Sequence, residues 1–313
     1  MNKHRIAVIS TGNGGQSLAA YLANLGYSVA LYAREQERVD MFLSNDFELS
    51  GKILCTAAID LISCHMEEVV KDAYLVMVTT PANYHPIVAA AMAPYLKDGQ
   101  TVVLNPGRTF GTYVFNKVLR DNGCTAEIIL GETDTFVFTC RCIDIGHPII
   151  HEIKNDLKVA GHKKKDTSML VVILSELFPR VEPAGSVIET GMSNIGMIFH
   201  PLPTLMNITG IEAKRQFRYY LEGITPLVSK VLERLDEERL AVAKAIGINV
   251  QSAYEWLKDR YSSEGQNLYE RIQNTRAYQN VFAPTDIDTR YIFEDIQTGF
   301  VPVSCLGKRV NIP

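Results

Sequence analysis

Four residues near the amino terminus, Gly12-Asn13-Gly14-Gly15, carry the first chemistry legible in the chain. They follow the apolar run Arg5–Ile9 and open a stretch with Leu18, Tyr21, Leu22 and Leu25 at helical spacing. A glycine turn between a strand and a helix lets backbone approach a phosphate. The helix it opens offers unpaired N–H groups and the positive end of its dipole. Gly12 permits the approach, and Gly15 permits close packing of helix on strand. A second strand, Ser28–Tyr32, arrives after Gly26, as a dinucleotide-binding unit requires. Ser10 stands where such a fingerprint has its first glycine, so the motif is incomplete, and its alternative is a structural turn. The second strand ends Leu31-Tyr32-Ala33-Arg34, with no acid at Tyr32 or Ala33 to hold ribose hydroxyls. A guanidinium at Arg34 suits a 2′-phosphate, which favours NADP over NAD. The alternative makes Arg34 a solvated residue at a helix start, with Glu35 taking the ribose.

These residues need a scaffold, and the first half of the chain has the pattern for one. Strand-like runs at 75–78, 101–104, 127–130 and 136–140 alternate with helical spacing at 14–25 and an Ala-rich helix at 84–96. Strands separated by helices give parallel βαβ units, so the spacing predicts an α/β Rossmann domain with a doubly wound, mainly parallel sheet. After Pro183 the texture becomes helical, over 188–212, 216–246 and 252–261. Val231, Leu232, Leu235, Leu240, Val242 and Ala243 follow the spacing of a buried helix face. A boundary at Ala184-Gly185 therefore divides a dinucleotide-binding domain, 1–184, from an all-α substrate and catalytic domain, 185–313.

Composition narrows the function classes. The 313 residues are 47% hydrophobic, enough for a sizeable core, and the formal net charge is −4. That charge argues against nucleic acid or an anionic membrane as partner, because no basic field is available to neutralise phosphates. The basic cluster His162-Lys163-Lys164-Lys165 reads as a solvated loop before a helix. No apolar run approaches the ~20 residues that span a bilayer. Asn13 and its neighbouring glycines interrupt any signal peptide that would follow Met1-Asn2-Lys3-His4-Arg5. Cysteines at 55, 64, 124, 140, 142 and 305 form no CxxC pair and no metal-ligand spacing with His. No metal site is expected. Reduced thiols, with Cys140 and Cys142 on one strand face, point to a cytoplasmic protein.

Several later segments carry a resemblance. They are Glu189-Thr190-Gly191-Met192-Ser193-Asn194, Phe199-His200-Pro201, Asn207, the run 236–247, and Arg290-Tyr291-Ile292-Phe293-Glu294-Asp295-Ile296 continuing to Gly299-Phe300-Val301-Pro302. In this order they resemble the helical domain of the octopine/nopaline (opine) dehydrogenase family. In the first domain, Gly12-Asn13-Gly14-Gly15, Pro81-Ala82, Asn105-Pro106-Gly107 and the run 132–141 are similar to the same family. The resemblance spans nearly the whole chain and is specific for the family, not for a substrate. It implies an NAD(P)-dependent reductive condensation of an α-amino acid with an α-keto acid; a homodimer is one open assembly, which the sequence does not fix. It maps the family's catalytic histidine onto His200, its aspartate partner onto Asp295 and a site arginine onto Arg290. Histidine suits proton transfer near neutral pH, an adjacent carboxylate fixes its tautomer, and arginine can grip a carboxylate bidentately. Catalysis is expected in the cleft between the two domains.

From the residues alone, other readings stay open. His200 before Pro201 also reads as a structural histidine, Arg290 and Glu294 as an i,i+4 surface pair, and Asp295 as a cap. Pro81 and Asn105 are expected at the cofactor; His85 lies near the nicotinamide or simply at a helix start. Asn194, Asn207 and Glu132 are expected to contact substrate, the two asparagines having helix capping as the alternative. The same two-domain plan serves glycerol-3-phosphate dehydrogenases and ketopantoate reductases, which carry a catalytic lysine on the helical domain. Here the helix after Ile188 offers Asn194 and His200, with no lysine before Lys214. A non-catalytic NADP-binding sensor is the remaining rival; Ser10 supports it, as does an ending at Pro313 where the resemblance implies a further helical segment.

Overall fold

The computed structural model describes residues 4–312. Among them, twelve strands lie between Arg5 and Pro183: β1 (Arg5–Ile9), β2 (Ser28–Tyr32), β3 (Phe47–Gly51), β4 (Cys55–Ala57), β5 (Leu61–Ser63), β6 (Ala73–Val78), β7 (Thr101–Leu104), β8 (Ile129–Thr133), β9 (Phe138–Cys142), β10 (Pro148–Ile153), β11 (Leu157–Gly161) and β12 (Val181–Pro183). Eight form one sheet in the order β12-β11-β8-β7-β6-β1-β2-β5. Neighbours are parallel except β11, which runs antiparallel to β8. The order reverses at β1, which pairs with β2 on one side and β6 on the other. Such a switch point is where a doubly wound sheet binds its ligand, outside the carboxyl ends of the strands.

Continuous apolar runs make these central strands. Ile6 and Val8 of β1 join one buried cluster, and Ala7 and Ile9 join another, so both faces of the strand are covered. A second sheet, β4-β3-β10-β9, went unread in the sequence apart from the run at β9. Phe47, Leu49, Phe138 and Ile150 from it share the cluster that holds Leu18 and Leu22 of the helix Asn13–Asn24. That helix is buried continuously from Gly15 to Leu22, since it is covered on more than one side.

Helix boundaries depart from the periodicity where proline intervenes. The helix expected at 84–96 is a short turn, Ala82–Tyr84, followed by His85–Met92 with Pro86 in its first turn. The helix expected over 188–212 is four short ones: Val187–Met192, Gly196–Phe199, Pro201–Met206 and Ile208–Glu212. Pro201 and Pro203 lack the N–H groups that a continuous helix would need. The long helix starts at Pro226, capped by Thr225, rather than at 216. The basic cluster precedes the helix Thr167–Ser175 on a short turn, and Lys163 pairs with Glu127 at 2.9 Å.

By its contacts the chain divides into two compact units. One comprises the chain to Gly107 together with Gly111–Val187; the other comprises Arg108–Phe110 together with Ile188 onward. Among its described residues the second unit is helical apart from one bridge, Arg218 to Phe282. Among the described residues no helix is long and apolar enough to cross a membrane, and no His/Cys/Asp/Glu group could hold a metal. The six cysteines are unpaired, and burial pushes the Cys142 thiol up to about 12.

The second unit's core is pinned by one buried guanidinium. Arg239 donates to Asp236 Oδ1 at 2.8 Å, to the Met192 carbonyl at 2.5 Å and to the Gln251 carbonyl at 2.6 Å. Asp236 Oδ2 in turn accepts the Ala253 N–H at 2.6 Å. Replacing Arg239 with methionine strands a buried carboxylate and two carbonyls. We expect a loss of about 3–5 kcal/mol in chemical denaturation, with part of it recovered in Asp236→Asn/Arg239→Met.

Candidate active site

In the first unit the glycine turn is built as the sequence implies. The helix Asn13–Asn24 starts after Gly12, whose backbone is extended (φ −74°, ψ −175°). A Cβ on Gly15 would be driven into the Ser10 carbonyl oxygen, so only glycine lets the helix start press on the end of β1. Ser10 uses its hydroxyl to receive the Gly12 N–H at 3.1 Å, so the fingerprint's missing glycine is replaced by a side-chain cap. Phe136, unforeseen in the sequence, lies against the turn, 3.0 Å from where a Gly14 side chain would begin. The Asn13 side chain, though exposed, is tied to β9: its Oδ1 accepts the Cys142 N–H at 3.0 Å. What Asn13 offers a phosphate is its backbone.

Polar atoms at the carboxyl ends of β6 and β7 test whether a dinucleotide fits. Thr133 Oγ1 donates to Asn105 Oδ1 at 3.0 Å, leaving Asn105 Nδ2 buried and without a hydrogen bond. Thr79 Oγ1, Thr80 Oγ1 and Asn83 Oδ1 are in the same condition, on either side of Pro81. Each such atom costs about 1–3 kcal/mol unless something polar meets it. A cluster of them at the switch point fits the polar end of a nicotinamide nucleotide. Arg34 is exposed and paired with Glu35 at 2.7 Å. A second cation, missed in the sequence, stands nearer the turn: Arg38 Nη2 donates to the Thr11 carbonyl at 3.2 Å. Its signal was its place in the first turn of the helix Gln36–Leu43, just after Arg34.

Two first-unit residues singled out in the sequence are buried. Glu132 has its carboxylate bonded to backbone. It is fully buried, and its Oε2 accepts the Thr112 N–H at 3.0 Å where the helix Gly111–Asp121 begins. His85 opens the helix His85–Met92 with its ring buried edge-on to Phe115, 6.1 Å between centroids.

In the second unit, His200 and Asp295 meet. The break before Pro201 leaves His200 at the junction of two short helices, with its Nδ1 2.7 Å from Asp295 Oδ2. Tyr291 stacks on the imidazole at 4.2 Å and 13°. The Tyr220 hydroxyl lies 3.3 Å from Nε2, and the Tyr219 hydroxyl donates to the His200 carbonyl at 2.6 Å. Behind the aspartate is Arg108, which sequence reasoning missed. Its Nε donates to Glu294 Oε1 at 3.0 Å and its Nη1 to Asn194 Oδ1 at 3.1 Å, while Nη1 is 3.6 Å from Asp295 Oδ1. The other Glu294 oxygen accepts from Arg290 Nη1 at 3.3 Å, and the Arg290 side chain remains 43% exposed.

The two asparagines are both hydrogen-bonded within the protein. Asn194 is buried: its Oδ1 accepts from Arg108, and its Nδ2 reaches towards Thr109 Oγ1 at 3.4 Å. Asn207 Nδ2 donates to the Pro203 and Gly223 carbonyls, each at 2.8 Å, and so fastens a helix end to the segment before Pro226. The sequence did hold a cue to Arg108, which directly follows Asn105-Pro106-Gly107. It held none to Tyr220, which reaches the imidazole from twenty residues further on by tertiary packing.

Burial pushes His200 below the ordinary imidazole value of 6.5; Asp295 opposes that shift, and Arg290 and Arg108 reinforce it. Burial likewise raises Tyr220 well above 10, so its phenol keeps its proton and can donate to Nε2. For Arg108, burial works against the charge, and Glu294 and Asp295 outweigh it. The arrangement is a neutral imidazole oriented by a carboxylate, beside an arginine with a guanidinium edge to spare. Groups so arranged are chemically able to transfer a proton and to hold an anion.

The glycine turn generates a test of the cofactor assignment. Gly15→Ala forces the turn apart and is expected to weaken NADPH binding about tenfold or more, read by fluorescence titration. An unchanged affinity would place the pyrophosphate elsewhere.

Comparison with known proteins follows the same lines. The family model described as NAD/NADP octopine/nopaline dehydrogenase, alpha-helical domain, matches residues 183–313. The NAD binding domain of 6-phosphogluconate dehydrogenase matches residues 5–109. An opine dehydrogenase of Arthrobacter sp. (strain 1C) is 37% identical, over 98% of this chain and 86% of its own. Among solved structures, octopine dehydrogenase in complex with NADH and agmatine matches with a TM-score of 0.79 at 20% identity, over 99% of this chain and 86% of that one. Yersinopine dehydrogenase with NADP+ bound matches with a TM-score of 0.76 at 15% identity, over 100% of this chain and 87% of that one. With a nucleotide-binding first half, a helical second half and a relative this similar along almost its full length, the chain belongs to the opine dehydrogenase family of NAD(P)-dependent oxidoreductases.

Proposed function

We propose that this chain couples an α-amino acid to an α-keto acid, and oxidises the product in reverse, with His200 as general acid and base. The observation that carries the reading is the 2.7 Å contact of His200 with Asp295 beside the partly exposed Arg290. Arg290 grips the keto acid's carboxylate with the guanidinium edge that Glu294 leaves free. The amine adds to the keto carbon, and the hydroxyl departs as water once His200 has given it a proton; the nitrogen then returns its own N–H proton to His200, leaving an imine. Bound NAD(P)H supplies hydride to the imine carbon. The imine nitrogen takes up a proton as that carbon is reduced, and His200, held by Asp295 in the tautomer that presents Nε2, is the group that moves it. In the oxidative direction neutral His200 takes the proton back.

NADP is the preferred nucleotide on this reading. Arg34 and Arg38 flank the end of β2, and no acid occupies Tyr32 or Ala33. Six unpaired cysteines suit a reducing cytoplasm. The lysine-dependent alternatives lack support in the geometry: the cations around the imidazole are arginines, and each grips a carboxylate.

Purified protein is expected to oxidise NADPH only when a keto acid and an amino acid are both present. Oxidation with the keto acid alone would overturn the coupling reaction. His200→Ala is expected to lower turnover about 10²–10⁴-fold while leaving nucleotide binding intact. The pH profile has a definite sign. Oxidation needs neutral His200, and kcat/KM reports the free enzyme. Burial lowers this histidine below 6.5, so the acid limb of the oxidative kcat/KM should fall below pH 6.5. A limb above that value would contradict the assignment.

A further inference from the structure

We infer that Arg108 is a positioning residue for the proton-transferring pair: it holds the Asp295 carboxylate in place and supplies its countercharge, so that Oδ2 serves Nδ1 of His200. The inference deepens the reading of His200 as acid and base, and rests on it.

Asp295 is fully buried, and a buried carboxylate stays charged only where opposite charge and hydrogen bonds compensate it. Oδ2 has His200. Oδ1 makes no hydrogen bond, and the cation facing it is Arg108 Nη1 at 3.6 Å. At that distance the guanidinium attracts the charge without competing for a hydrogen-bond position. Arg108 is itself held firmly, by Glu294 at Nε and Asn194 at Nη1. Its neighbour Thr109 is fixed by bonds to the Thr298 and Gly191 carbonyls, each at 3.0 Å. Arg108 sits at φ 60°, where a side chain costs energy unless its surroundings over-determine the conformation. Space is reserved as well: a Cβ on Gly196 would stand 2.6 Å from Asp295 Oδ1 and press on the Arg108 guanidinium.

The charges explain what this achieves. The helix Arg290–Asp295 presents Asp295, Arg290 and Tyr291 to His200; the segment before Pro226 presents Tyr219 and Tyr220; the loop presents Arg108; and Ile296–Phe300 carries no titratable side chain. Glu294 lies between the two arginines. Two carboxylates and two guanidiniums therefore balance while His200 is neutral. Without Arg108 the cluster carries an excess negative charge and draws a proton onto the imidazole. With Arg108 present, that proton is drawn when a substrate carboxylate cancels the charge of Arg290. Arg108 thus ties protonation of His200 to arrival of the keto acid.

The test compares Arg108→Gln and Arg108→Lys with the wild type. The readouts are the NMR titration of the His200 imidazole without substrate, its signal assigned by loss in His200→Gln, and the pH profile of kcat. In Arg108→Gln the imidazole midpoint should rise by about one pH unit, and kcat should fall. Arg108→Lys should restore the midpoint and not kcat, because an ammonium keeps the charge and loses the fork. A merely structural arginine would lower thermal stability and kcat with the midpoint unmoved. That result overturns the inference, as does wild-type behaviour in Arg108→Gln. Should the glutamine variant fail to fold, the lysine variant decides: a shifted midpoint or an undiminished kcat refutes the role. The titration needs no turnover. A wild type that does not couple the two substrates, yet shows the shift in Arg108→Gln, defeats the reaction and leaves the positioning role standing.

Discussion

The helical unit is organised around one carboxylate that has been taken out of water. Asp295 is fully buried, and an ion in that condition costs several kcal/mol unless its surroundings replace the lost hydration. His200 on one oxygen and Arg108 on the other supply that replacement, and much of the local geometry exists to bring them there. Pro201 interrupts a helix so that the imidazole can turn inward. Gly196 leaves the guanidinium room. Gly299, where a Cβ would lie 2.6 Å from Met197 and 3.2 Å from Asn194 Nδ2, lets the widened turn Ile296–Phe300 lie against them. Such widened turns are often found at functional sites, because they re-aim the helix that carries the working residue.

The two units handle buried polarity in opposite ways. In the second unit the charges are matched within the protein, and the surplus capacity is the exposed edge of Arg290. In the first unit, Asn105 Nδ2 and three neighbouring oxygens at the ends of β6 and β7 are left without partners. The contrast follows from the ligands. A nucleotide is large and polar, so a site for it can store unsatisfied donors and acceptors and recover their cost on binding. A proton-transfer pair must be in register before substrate arrives, so its partners have to be resident.

How much of this was legible in the sequence depends on distance along the chain. The glycine turn, the strand after it and the mainly parallel sheet depend on local spacing, and local spacing showed them. The family resemblance gave His200, Asp295 and Arg290, because those motifs keep their order. What failed was whatever packing decides. The small sheet of β3, β4, β9 and β10 joins segments about a hundred residues apart, and its short strands carry little period. The four short helices after Val187 read as one, because apolar spacing runs on through proline. Glu132, Asn194 and Asn207 were polar residues in plausible places, and each turned out to serve the backbone or a buried partner. Arg108 was passed over for the complementary reason, although it directly follows Asn105-Pro106-Gly107. A loop arginine means nothing until the carboxylates it must neutralise, 186 residues away, are known to be buried.

The aromatic surroundings of the imidazole make this balance of charges consequential. Tyr291 stacks on one face of the ring, and Tyr220, itself stacked on Tyr278 at 3.8 Å, closes the Nε2 side. Rings exclude water without supplying countercharge, so each nearby ion acts through a lower dielectric and is felt more strongly than at the surface. The same closure narrows what the ring can bond. Nδ1 is committed to Asp295, so Nε2 is the nitrogen left for any other partner. Its present partner is the Tyr220 hydroxyl at 3.3 Å, longer than a strong hydrogen bond involving nitrogen and oxygen. A contact of that length orients the ring weakly, and a polar atom that came closer to Nε2 would displace little in taking its place.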